Sequence, residues 1–170
     1  MTTSHDALEG WFRGRLPDDW FTQPIEVSGD RDEIVIVGAI SGPELSGLSE
    51  GAATVALSER VAAFRESTRD QRIAIAREAK HTFQRKVSWG ASCGHVTEMF
   101  TTASVPVMTR LRLADRQVLD TLIDASVARS RSEALAWCVR LVGTHQGDWI
   151  RELREAVSQV DKVRQQGPTP

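Results

Sequence analysis

The chain is poor in the features that would staple it covalently, carry it into a membrane or arm it for catalysis. It has two cysteines, Cys93 and Cys138, too few and too far apart for a disulfide framework. No apolar run approaches the length of a membrane span. The N-terminal string Met1-Thr2-Thr3-Ser4-His5-Asp6 has neither the basic nor the apolar region of a secretory signal. A cytoplasmic protein without a membrane partner is the expectation. A phosphate-cradling glycine loop and a dinucleotide fingerprint are both missing. Internal repeats and low-complexity stretches are missing too.

Histidine is also scarce, at four residues. Trp89-Gly90-Ala91-Ser92-Cys93-Gly94-His95 is the one cluster that invites a metal or a cysteine nucleophile. Cys93 and His95, even with His81 added, are too few ligands to define a metal site. Neither an orienting acid nor oxyanion donors accompany the thiol. The string reads as a tight turn, and no enzyme activity, metal or cofactor is expected.

A net charge of −2 leaves little basic excess, but the charge is uneven. Residues 1–59 carry three basic and eleven acidic groups, residues 60–86 eight basic and three acidic, and residues 104–143 six basic and four acidic. Local field governs where a polyanion docks. The acidic N-terminal third is expected to face away from such a ligand or to meet a basic partner.

What is present is an α+β pattern in two parts. Pro24–Ser28 and Glu33–Val37 read as strands around Gly29-Asp30-Arg31-Asp32. The second is nearly all apolar, so cover on both faces is expected. Ser41–Gly51 reads as a loop. Helical spacing follows from about Ala53 through Val55, Leu57, Val61 and Phe64. It restarts after Ser67-Thr68-Arg69-Asp70 with Ile73, Ile75, Ala76, Ala79 and Phe83. Arg60, Arg65, Arg69, Arg72, Arg77, Lys80, Arg85 and Lys86 decorate these helices, either as a solvated face or as a secondary contact to phosphates. Val87-Ser88-Trp89-Gly90 leads into a glycine-bounded turn, and Val96–Thr102 reads as a strand. Ser4–Asp19 gives only a surface segment that packs Trp11 and Phe12. These pieces make a small β-β-α-α-β domain over residues 1–103.

The second part, residues 104–165, opens on strict alternation. Val105, Val107, Thr109, Leu111 and Leu113 fall on one face; Pro106, Met108, Arg110 and Arg112 fall on the other. No second strand follows, because Ala114-Asp115-Arg116-Gln117 opens a helix whose stripe is Val118, Leu119, Leu122 and Ile123. A lone strand with one apolar face must find a partner, since unpaired backbone groups are costly. The next helix starts at a capping box, Ser130 with Glu133. Ala134, Leu135, Cys138, Leu141 and Val142 form its stripe, and Gly143 is placed to end it. Free amides at its first turn, with Arg129 and Arg131 adding charge, suit a phosphate. A last stripe, Trp149, Leu153, Ala156, Val157 and Val160, begins near Gly147-Asp148, and residues 166–170 read as a loose tail.

Met108-Thr109-Arg110-Leu111-Arg112-Leu113, the helix through Val118 to Ile123, and Ser130-Arg131-Ser132-Glu133-Ala134-Leu135 together resemble the ribbon-helix-helix DNA-binding family. The resemblance covers about forty residues of the 170. It implies a homodimer whose strands pair antiparallel and enter the major groove of double-stranded DNA. Met108, Arg110 and Arg112 would then face bases, while Ser130, Arg131 and Ser132, with Arg129 beside them, would contact phosphate. Ser126 stands where many members have glycine between the helices, and Ala114 where a serine, threonine or proline often opens the first helix. The implied function is a nucleoid-associated transcriptional regulator or repressor. Two other readings stay open. One is an antitoxin-like protein whose N-terminal domain binds a partner protein, or a small molecule, while the C-terminal domain autoregulates its operon. The other uses the ribbon only to dimerise, leaving Arg110 and Arg112 on a solvated face.

Overall fold

The computed structural model describes residues 5–165 and divides the chain into two compact units between Pro106 and Val107. The expected tail, 166–170, lies outside the described residues. The protein is mixed α+β, with one four-stranded sheet and six helices among the described residues.

The first unit begins with a helix, α1 (His5–Arg13), where only a surface segment was expected. Leu8, Trp11 and Phe12 stand three and four residues apart, which puts them on one helical face. Leu8 and Phe12 are buried in the main core. The expected β-hairpin forms as β1 (Glu26–Gly29) against β2 (Glu33–Ala39), antiparallel, with Asp30 Oδ1 accepting from the amides of Asp32 and Glu33 at the turn. The helices α2 (Glu50–Ser67) and α3 (Arg69–Phe83) break at the expected place, around Thr68. Ser49 caps α2, so the helix starts three residues before Ala53.

The principal correction concerns β3 (Lys86–Cys93). It is a full strand, parallel to β2, where only a short stretch and a turn were expected. Its partner β4 (Val96–Met99) returns antiparallel and is shorter than expected. The first unit is therefore α-β-β-α-α-β-β rather than β-β-α-α-β, with strand order β1-β2-β3-β4. A parallel neighbour to β2 needs a long crossover, which α2 and α3 supply. Lys86-Val87-Ser88-Trp89-Gly90-Ala91-Ser92-Cys93 does alternate, with Val87, Trp89, Ala91 and Cys93 on one face, but its central glycine and small residues weaken the strand signal.

Register explains the core. Val27, Ile36 and Trp89 align across β1, β2 and β3 and are all buried on one face. Val35 and Val37, on the other face of β2, are half-buried, so the second face is only partly covered. Nor is the basic helical face uniform. Arg72 is buried, donating from Nε to Thr68 Oγ1 at 3.0 Å and from Nη2 to the Arg65 carbonyl at 2.6 Å, with its guanidinium 4.8 Å from the Phe100 ring. It is a structural cation joining the α2–α3 corner to the end of β4.

The second unit contains α4 (Leu113–Asp124), α5 (Arg131–His145) and α6 (Gly147–Gln165). Its buried core is three residues, Leu119, Ala128 and Ala134, with Leu111, Leu122, Leu135 and Cys138 packed around them. Gly143 does not end α5, which runs through it to His145. With no special backbone demand at that position, the glycine is absorbed into the helix.

Candidate nucleic-acid interface

The segment 104–112 is not a strand in the single chain. Among the described residues each strand pairing lies in the sheet of the first unit, and residues 104–112 take part in none of them. The expected apolar face is open: Val107 is 84% exposed and Leu113, which is the first residue of α4, 63%. Only Leu111 of that face packs inward, against the Leu119–Ala128–Ala134 cluster. Met108 is 97% exposed, and Arg110 and Arg112 are exposed too.

The start of α4 is held by polar contacts. The Arg112 amide donates to Asp115 Oδ2 at 3.3 Å, and Arg116 Nη1 donates to the Leu111 carbonyl at 2.7 Å. Asp115 thus closes the helix end that Ala114 cannot cap. At the far end Ser126 takes a left-handed conformation, φ 59°. The amides of Val127 and Ala128 then donate to the Leu122 carbonyl at 2.9 and 3.3 Å. The glycine-like turn is thus made with serine, against the steric preference of a Cβ.

At α5, Ser130 Oγ accepts from the Glu133 amide at 3.2 Å, and Glu133 Oε2 accepts from the Arg129 amide at 2.8 Å. The expected capping box is therefore displaced by one residue on its return arm. The side chains of Arg129, Ser130, Arg131 and Ser132 are all exposed. Arg131 is nonetheless occupied: Nε and Nη2 donate to both carboxylate oxygens of Asp120 on α4, each at 2.7 Å. The bidentate fork holds the Asp120 carboxyl below its usual range, the hydrogen bond from Arg131 being the chief cause. Asp120 carries no local signal in the sequence, because its partner stands on another helix. Its carboxylate sets the position of Arg131 and offsets its charge.

The Cys93–His95 cluster forms the β3–β4 turn, with Gly94 left-handed at φ 58°. Cys93 is buried beside Ile40, Leu57, Val61 and Ala91, and burial pushes its thiol up. His95 Nε2 lies 3.1 Å from Thr54 Oγ1. Among the described residues no group of three or more His, Cys, Asp or Glu stands together as a metal set. No helix among them is long and apolar enough to cross a membrane.

Residues 6–99 match the family described as Rv1265-like protein, N-terminal domain. This chain belongs to the Rv1265-like family. Residues 112–164 match a second description, the Mb1296 C-terminal domain, so the segment with Met108 and Arg110 falls between the two matched spans. Relatives of the Rv1265-like chain include the uncharacterized protein Rv1265 of Mycobacterium tuberculosis (strain ATCC 25618 / H37Rv) and the uncharacterized protein Mb1296 of Mycobacterium bovis. Each is 53% identical over 158 residues, covering 93% of this chain and 69% of the relative. No solved structure matches this Rv1265-like chain.

Proposed function

We propose that the protein is a homodimeric, sequence-specific DNA-binding regulator whose residues 105–112 pair antiparallel with their copy and enter the major groove. The observation that carries this reading is the free alternating segment: it has no ladder among the described residues, yet it sets Val105, Val107, Thr109 and Leu111 against Pro106, Met108, Arg110 and Arg112. Pairing two copies satisfies the backbone and covers Val105, Val107 and Thr109 in one step. Arg110 and Arg112 of each copy then line the outer face, where guanidinium forks suit guanine O6 and N7. Met108 adds an apolar contact.

Support also comes from the second helix. Ser130 fixes the first turn of α5, and the dipole at that end favours a phosphate. Arg129 and Arg131 add charge that positions the protein without reading sequence.

The test is a binding titration on a site selected from random duplexes. Arg110→Ala is expected to cost about 1–3 kcal/mol on that site and to relax preference at one position. Unchanged affinity and preference would remove Arg110 from the reading face.

A further inference from the structure

The last helix, α6, is almost wholly exposed, with Ile150 its one half-buried residue among those described. It is nevertheless strongly two-sided. Ile150, Leu153, Val157 and Val160 recur at alternating three- and four-residue steps, the seam of a heptad pattern. Trp149, Ala156 and Val163 recur every seven residues along one flank. Arg154 and Asp161 occupy the other flank. Trp149 is 56% exposed, Val157 59% and Val163 67%. An apolar face of this breadth on a two-turn repeat is a helix-packing face without a helix on it.

We propose that α6 pairs antiparallel with α6 of a second copy of this chain, about a two-fold axis passing beside Leu153–Val157. The rows choose both the occupant and the direction. With Leu153 facing Val157 of the copy, and Ile150 facing Val160, each seam layer meets an apolar layer. The apolar flank then lies on itself: Ala156 against Ala156, and the bulky Trp149 against Val163. Arg154 and Asp161 share the opposite flank with their copies, where the charges are of opposite sign. A parallel pair fails on chemistry. It sets the Trp149–Ala156–Val163 row against the charged Arg154–Asp161 row and brings Arg164 onto its own copy.

Two helices of this length give less than the roughly 1,200 Å² typical of a stable interface. The α6 pair therefore adds to another contact, and one two-fold axis can serve both. That part of the argument rests on the ribbon dimer proposed above; the direction and register of α6 rest on its own rows.

Single cysteines placed in the full chain, in a Cys138→Ser background, test this by mild oxidation. Ala156→Cys is expected to form covalent dimers at least tenfold faster than Val163→Cys, whose copies would stand about 24 Å apart along the axis at 1.5 Å per residue. A mixture of Trp149→Cys and Val163→Cys chains should give the mixed dimer. Rapid self-linking of Val160→Cys, a seam position that meets its own copy in a parallel pair but stands about 15 Å from it in the antiparallel one, would mean parallel helices and overturn the proposal. So would failure of both Ala156→Cys and the mixture in chains of native helical content. Adding Arg110→Ala separates the two readings: links that persist while DNA binding is lost leave α6 pairing standing. Selective DNA binding without links removes α6 pairing alone.

Discussion

The stability of the second unit should depend on protein concentration, and that of the first unit should not. The second unit buries only Leu119, Ala128 and Ala134 within one chain. It leaves Val107, Leu113, Val118, Val139, Val142, Val157 and Val163 about half exposed or more. Fully burying one such aliphatic side chain contributes about 1.5–3 kcal/mol, so covering even four per chain would add roughly 6–12 kcal/mol. A single chain forgoes that amount, and a pair recovers it. If folding requires two copies, each tenfold dilution lowers the unfolding free energy by about 1.4 kcal/mol. Over a hundredfold dilution the shift is about 2.8 kcal/mol, well beyond the error of a urea titration. Calorimetry resolves the two units, and fluorescence assigns them. Trp11, Trp20 and Trp89 report on the first unit, and Trp137 and Trp149 on the second. A second-unit transition that stays fixed from 1 to 100 μM (about two decades of mass action) would refute the reasoning, and the ribbon and α6 pairings with it.

Three further outcomes are expected. Asp120→Asn should release Arg131 and remove a negative charge, tightening binding to any duplex at low salt and steepening the log–log salt dependence by about one; an unchanged slope would take Arg131 out of the phosphate contact. In the unsubstituted protein the Asp120 carboxyl is depressed, so the Asp120–Arg131 link is complete above the ordinary carboxylate range and is lost only as pH falls through the lowered pKa, which carboxylate NMR titration reads directly. Gly94→Ala should destabilise the first unit by about 1–3 kcal/mol, because the position is left-handed and the new Cβ would stand 3.1 Å from Leu57 Cδ1; a neutral result in chemical denaturation would show that the β3–β4 turn tolerates a side chain.

Period and capping carried much of the architecture into the sequence. The β1–β2 hairpin, the break between α2 and α3, the cap at Ser130 and the start of α6 at Gly147 are all legible, because each has a local cause within a few residues. What escaped depends on contacts far along the chain. The strand β3 buries Ser88 and Gly90 as well as Trp89 and Ala91 because it lies at the centre of a sheet completed by β2 and β4, and its glycine is tolerated because β4 passes close by. Arg72 looks like any other helical cation until Phe100 arrives over it. Asp120 became part of the candidate site only through a partner eleven residues on, across a turn that serine makes in a glycine-like conformation. Alternation at 105–113 was legible as a pattern, but among the described residues, 104–112 form no strand and Leu113 already belongs to α4.

The carboxylate of Glu33 accepts from the Ser88 hydroxyl and, at 2.8 Å, from the Ala103 amide. Beyond β4 the backbone is thus tied to the sheet twice more, by Thr101 Oγ1 accepting from the Trp89 amide at 3.2 Å and by the Ala103 amide on Glu33. Withdrawing the Glu33 carboxylate leaves the Thr101 tie in place and opens the amide of Ala103 to solvent exchange.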